Sequence, residues 1–300
     1  QDPKILNGYL NGIYAKMYEA GSGGTTGHDD FGQKACDIYY DMLAGDMVLA
    51  GDNYGWYVSV ANLSAPLNYD FNPVYIPWRY YYSIIYMANL VIQDLGGNDY
   101  VPEEEVRKHL LGQAKAMRAY GYFYLANLYV HEGYGTGSEK ILPLYTEVQE
   151  SNNPKATSQE VYALIISDLR DAIMLLETFN RGYVKHAINR DVAKGLLSYA
   201  LAARGSTGDL KEVVSTTNEV IQNSGARITS ANEVAARLDV NGNLENPESG
   251  FNNVATASWL WGVDLTLDSK LDLASWWGQI DYFTYSYAYV GDGKIIDDKL

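Results

Sequence analysis

Cysteine is almost missing from this chain, with one thiol, Cys36, in 300 residues. A single cysteine excludes an internal disulfide, and no zinc-ligand spacing surrounds it. Set beside Ala35 and Ile38, it reads as a buried structural thiol. Basic runs are absent as well. The formal net charge is −15 and no cluster of Lys or Arg occurs, which excludes a phosphate-reading surface for nucleic acid and a polybasic membrane patch. Neutral or cationic ligands suit that charge. No apolar run approaches the length of a transmembrane helix. Histidine is scarce too. His28, His109, His131 and His186 have no nucleophile signature beside them, so no Ser-His-Asp constellation is legible. The stretch Gly21 to Gly27, G-S-G-G-T-T-G, looks like a phosphate loop but lacks the G-K-[ST] ending and follows a helix instead of a strand. His28-Asp29-Asp30 behind it has no second ligand cluster and reads as a polar turn. Neither a metal nor a cofactor is expected.

Phenylalanine is also rare, 6 residues against 27 tyrosines. An enclosed core favours Phe and Leu, whereas Tyr suits clefts where the ring is dry and the hydroxyl stays wet. With 47% hydrophobic residues the chain has ample material for a large core. Its most patterned stretch runs from Trp78 to Tyr134. Tyr81, Ile84, Ile85, Ala88, Val91, Ile92 and Leu95 make one helical stripe, ended by Gly96 and Gly97. Leu110, Ala114, Met117, Gly121, Tyr124 and Leu128 make a second. Ala114, Ala116, Ala119 and Gly121 keep that helix thin enough for close approach, so the two are expected to form an antiparallel hairpin.

Elsewhere, Leu6, Leu10, Ile13 and Met17 predict a first helix, and Asp37 to Ala50 a short one ending near Gly51. Thr157 with Glu160 reads as a capping box for a stripe of Val161, Ile165, Leu169, Ala172 and Leu176. Asn189 precedes a helix carrying Val192, Leu196, Tyr199 and Ala203. Asp209 with Glu212 is read as the cap of the next, with Leu210, Val213, Val214, Thr217 and Ile221 as its stripe. Helix, tight turn, helix is the tetratricopeptide architecture, although no clean self-repeat is seen. After about Gly225 the rhythm fades, and A-S-W-L-W-G-V-D-L around Trp259 and Trp261 alternates like a strand or extended segment.

Two regions depart from this pattern. Residues 51–78 combine Gly55, Pro66, Pro73 and Pro77 with Tyr and Trp, which is turn chemistry rich in rings. Residues 276–289 hold Trp276, Trp277, Tyr282, Tyr285, Tyr287 and Tyr289. Sugars present flat C–H faces ringed by hydroxyls, and proteins meet them with an aromatic face and Asn, Asp or Arg at the rim. On that chemistry the candidate ligand residues are Asp52, Asn53, Trp56, Tyr57, Tyr69, Arg79, Trp276 and Trp277. The plain alternative is that Trp56 and the tyrosines clamp the loop onto the helices.

The pattern W-x-x-Y-Y-x-x-I-x-x-A-N, at Trp78, Tyr81, Tyr82, Ile85, Ala88 and Asn89, is followed by G-Q-A-x-A-x-R-A-x-x-Y-F-x-L, at Gly112, Gln113, Ala114, Arg118, Ala119, Tyr122, Phe123 and Leu125. A Tyr-Gly turn, the extended I-L-P-L-Y and the segment Ser158 to Ala172 come next. In order and spacing this resembles the SusD/RagB family of nutrient-binding outer-membrane lipoproteins of the Bacteroidetes. The resemblance implies a mainly α fold of tetratricopeptide-like hairpins, with loop-rich, aromatic-rich segments on one side. It implies one SusD-like domain across 1–300, with 78–224 as its helical scaffold, and a C-terminal part of the fold beyond Leu300, since family members are longer. It also implies a non-catalytic glycan binder on the cell surface, held by a lipid anchor upstream of Gln1, with a SusC-type TonB-dependent transporter as partner. A glycoside hydrolase on a helical scaffold, needing two facing carboxylates, and a peptide-binding tetratricopeptide protein are the alternatives. No carboxylate pair is specific, and long aromatic loops are foreign to a bare scaffold.

Overall fold

The structure, a computed structural model, describes residues 2–131, 133–235, 237–243, 245 and 253–296, without the side chain of Leu267. It is mainly α. The helices are α1 (Pro3–Lys16), α2 (Gln33–Ala44), α3 (Val58–Ala61), α4 (Asn72–Asp94), α5 (Glu105–Tyr129), α6 (Ser158–Leu175), α7 (Arg190–Arg204), α8 (Thr207–Asn223), α9 (Ala231–Val234) and α10 (Trp276–Ile280). Among the described residues four short strands pair as two antiparallel ribbons: β1 (Met47–Leu49) with β4 (Lys294–Ile296), and β2 (Lys140–Pro143) with β3 (Lys155–Thr157).

From α4 to α8 each helix packs on its predecessor and runs the opposite way. On α4 and α5, Trp78 meets Tyr129 and Tyr81 meets Tyr124 and Tyr120. On α5 and α6, Asn127 faces Tyr162, Arg118 faces Asp168 and Lys115 faces Asp171. On α7 and α8, Lys194 bonds Glu219 near one end and Arg204 bonds Asp209 at the other. Small residues permit this closeness. A methyl group at Gly121 would lie 2.9 Å from Ile85, and one at Gly112 would lie 2.8 Å from Leu176.

Helix α5 is the centre, buried without a break from Leu110 to Tyr122. Its polar residues are therefore costly unless partnered, and each one is. Arg118 forks onto both oxygens of Asp168 at 2.8 Å and donates to Asn89 Oδ1 at 2.9 Å and to the Thr146 carbonyl at 3.0 Å. Lys115 donates to Asp171 at 2.6 Å. Gln113 accepts from the Tyr14 hydroxyl at 2.9 Å, which ties α1 to the hairpin.

Local signals act largely where they are written. Asp2 caps α1 through the Lys4 N–H, Thr157 and Glu160 form a reciprocal box at α6, and Asn189 caps α7 through the Val192 N–H. Four expectations change. The helix expected over Asp37 to Ala50 runs instead over Gln33–Ala44 and is stopped by the left-handed Gly45, so that Met47–Leu49 is free to form β1. Helix α4 starts at Asn72, not Trp78: Pro73 lies in its first turn, where no intrahelical N–H is needed, and Pro77 follows one turn later. The cap of α8 is Ser206, with Asp209 as its third-position partner, so the helix begins one turn before the expected Asp209–Glu212 cap. The Trp259–Trp261 segment is bend and coil instead of strand, anchored by the Trp261 indole donating to the His186 carbonyl at 2.7 Å.

The stripe on α8 is also not buried. Leu210, Val214 and Ile221 face solvent, while Asp209, Thr216 and Val220 turn inward. Each helix of the row covers its predecessor, and α8 has α7 on one side; Tyr199 of α7 is likewise exposed. Among the described residues no helix is long and apolar enough to cross a membrane.

Candidate glycan-binding face

Three loops meet on one side of the helices. The first follows α1 and closes on Asp30. That buried carboxylate accepts the N–H groups of Gly23 (2.7 Å) and Thr25 (2.9 Å) and the Thr25 hydroxyl (2.8 Å). The glycines that imitate a phosphate loop are packing devices. A side chain at Gly23 would meet Ile76, one at Gly24 would meet Arg79, and one at Gly27 would meet Asp29 and Trp56. Asp29 is buried beside them, with one carboxylate oxygen unpartnered and its proton affinity raised by burial.

The second loop, 51–57, is pinned to the third, 276–293, by a buried acid. Asp292 accepts the backbone N–H of Asn53 at 2.6 Å and of Tyr54 at 2.8 Å. The Ala50 N–H donates to the Gly293 carbonyl at 2.7 Å, continuing the β1–β4 ribbon. At Gly51 a side chain would overlap the Gly291 carbonyl, so only glycine lets the two backbones approach so closely.

Tyr287 is the ring around which the loops assemble. It lies edge-on to Tyr54 (5.2 Å between centroids), to His28 (5.8 Å) and to Trp56 (6.0 Å). Its hydroxyl is 2.7 Å from His28 Nδ1, and burial raises its pKa. His28 stacks flat on Trp56 at 5.4 Å with planes 10° apart. Gln279 of α10 donates to the His28 carbonyl at 2.8 Å, and the Tyr287 N–H donates to Gly278. Around this packed centre, Tyr54, Trp277, Tyr282, Phe283, Tyr285 and Tyr289 are exposed. Beside them is an open cleft of about 540 Å³ lined by Thr266, Leu271, Asp272, Ser275, Trp277, Thr284 and Tyr285 among others.

The eight candidate residues fall into three groups. Asp52, Asn53 and Trp56 lie on the clamped loop, the first two exposed and Trp56 half-buried, and Trp277 lies on the exposed rim of the cleft. Arg79 is exposed on α4, its guanidinium 5.3 Å from the Tyr75 ring and against Gly24 of the glycine loop. Tyr69 is 83% exposed on the turn before α4, outside the ring cluster. Two residues turn inward. Tyr57 is 2% exposed, with its ring 5.0 Å from Tyr39 and under the Lys294 ammonium at 5.2 Å. Its backbone is left-handed, φ 67°, which points the side chain into the core. Trp276 packs on the core beneath Lys34. The clamp reading fits Tyr57 and Trp276, which pack inward, whereas Trp277 keeps its ring at the surface. His28, Tyr287 and Asp292 were not among the candidates. The Tyr-x-Tyr-x-Tyr alternation at 285–289 and the G-D-G turn at 291–293 were the available signals, but their partners lie more than 200 positions away.

A family model described as starch-binding and associating with the outer membrane, SusD-like, matches residues 7–201. SusD-like protein P38 of Formosa agariphila is 28% identical over 114 residues, which is 36% of this chain and 20% of that protein. Among solved structures, a SusD-like carbohydrate-binding protein from Bacteroides vulgatus superposes with a TM-score of 0.73 at 24% identity, covering 89% of this chain and 52% of its own. A laminarin-binding SusD-like protein superposes with a TM-score of 0.53 at 21% identity, covering 76% and 45%. The chain thus spans about half the length of these solved structures and a fifth of that curated relative. With more than half of its residues matched by the family model, and with this fold, the chain belongs to the SusD-like family.

Proposed function

We propose that this protein binds oligo- or polysaccharide on the face built by the 21–30, 51–57 and 276–293 loops, and that it does so without catalysis. The observation that carries the reading is the gathering of exposed rings around the buried Tyr287, with Asp52, Asn53 and Asp272 at the rim. Such an open face suits a binder that must release its ligand, since shallow stacking gives modest affinity. The family's description as starch-binding supports the ligand class, as does the laminarin named for one structural relative. In this reading the protein is a surface lipoprotein of the outer membrane and passes its glycan to a SusC-type TonB-dependent transporter. Residues 78–224 serve as the helical scaffold of a single unit that carries the loops. Asp52, Asn53, Trp56 and Trp277 contact the ligand, Tyr69 and Arg79 extend the surface, and Tyr57 and Trp276 support it from beneath.

Affinity electrophoresis over a panel of polysaccharides, followed by calorimetry with the best oligosaccharide, tests this. Trp277→Ala should weaken binding about tenfold, the order of one good anchor ring, with an unchanged melt. Unchanged affinity in that variant would move the ligand away from this face. Recovered ligand should be intact after long incubation. Shortened chains that vanish on replacing a carboxylate would make the protein a hydrolase.

A further inference from the structure

A second recess lies between the middle of α4 and the segment after β2. Its volume is about 290 Å³, and its walls include Trp78, Tyr82, Tyr86 and Tyr145, with Glu147 and Glu150 at its edge. The rings do not form a flat platform. Tyr82 crosses Trp78 at 50° with centroids 4.9 Å apart, and crosses Tyr145 at 81° with centroids 5.9 Å apart. A flat ring platform suits the face of an extended sugar chain, whereas rings set steeply to one another can enclose a compact cationic group.

The polar atoms of the floor are already used. The Tyr82 hydroxyl donates to the Pro143 carbonyl at 2.9 Å, and Asn89 donates to the Tyr145 carbonyl at 2.9 Å while its own oxygen accepts from Arg118. Glu147 and Glu150 are exposed, and among the described residues neither is in an ion pair. Among the described residues the walls hold no Lys, Arg or His. Electron-rich ring faces with two free carboxylates at the mouth, in a chain of net charge −15, complement a positive charge. We propose that this recess is a binding site for an alkylammonium group, taken in between the α4 rings and held at the mouth by Glu147 and Glu150.

Choline serves as the probe, beside its neutral isostere in which carbon replaces the quaternary nitrogen. Amide and indole NMR spectra of the full chain are followed during titration at low and at high salt. Choline should give saturable shifts at the Trp78 indole and in residues 145–152, the isostere none, and added salt should weaken binding. Glu147→Gln with Glu150→Gln, both exposed and outside the core, should weaken choline about tenfold or more, and Tyr86→Ala should weaken it too. Absence of saturable binding by choline would overturn the proposal. Equal binding of the isostere, or indifference to the paired Gln substitutions, would do so as well by leaving only an apolar dent. Shifts of the same residues by a neutral oligosaccharide in place of choline would make the recess a sugar subsite instead.

Discussion

Asp292 touches no candidate ligand side chain, yet its removal should cost both stability and glycan affinity. Its carboxylate, 1% exposed, accepts the N–H groups of Asn53 and Tyr54 at 2.6 and 2.8 Å. Hydrogen bonds to a charged acceptor contribute about 1.5–3 kcal/mol each. Asn53 and Tyr54 are exposed, so water can replace part of what Asp292→Ala removes, and a net loss of about 2 kcal/mol is expected. The β1–β4 ribbon and the contacts of Trp56 with His28 and Tyr287 remain, so the loop loosens without detaching. An equilibrium shift of 2 kcal/mol is about thirtyfold, which sets the ceiling on lost affinity if the pinned loop is the binding conformation. Asp292→Asn keeps one acceptor but turns an NH2 toward the second N–H, and should fall between Ala and the parent. Urea unfolding gives the stability and calorimetry with the best-binding oligosaccharide gives the affinity. A variant within 0.5 kcal/mol of the parent and unchanged in affinity refutes the reasoning at both levels. Lost stability with intact affinity refutes only the link from loop to ligand.

Breaking the centre of α5 should be more damaging. Arg118→Met strands Asp168, which is 2% exposed, and should cost about 3–5 kcal/mol in urea unfolding. Tyr57→Ala empties a core site and should cost about 3–5 kcal/mol, whereas Tyr285→Ala, 72% exposed, should leave the melt unchanged and weaken glycan binding. Lys294 titrates at about 8 in the fold, because burial disfavours its charge while Asp292 partly restores it. The folded pKa lies below the unfolded value, so the penalty is fully present below pH 8 and is relieved as pH rises through 8 toward 10.5, by on the order of 3 kcal/mol. Above pH 10 the sign reverses. The phenols of Tyr39, Tyr57, Tyr80, Tyr81 and Tyr120 are held well above their usual pKa by burial, so the unfolded chain loses protons first and stability falls. Lys294→Met should abolish the rise and keep the fall in a pH series of urea midpoints; a rise that persists in this variant shows that another group causes it.

What the sequence by itself determined is local or periodic. The stripes, the Thr157–Glu160 box, the Asn189 cap and the glycine stops lie within a few residues of what they act on, so their physics can be read without a fold. The helical stripes and the family resemblance were legible for that reason, as was the ring-rich character of residues 51–78 and 276–289, although α3 and the start of α4 fall within the first of these. Tertiary structure decided the rest, because pairing across the chain has no local signature. Only the fold brings Tyr287 and Asp292 to residues 28 and 53–56. It also decides which rings are packed and which stay open, turning Tyr57 and Trp276 inward while Tyr54 and Trp277 remain at the surface. On α8, periodicity named the apolar face correctly, but burial requires a neighbour on that side, and a stripe of side chains carries no information about whether one is there.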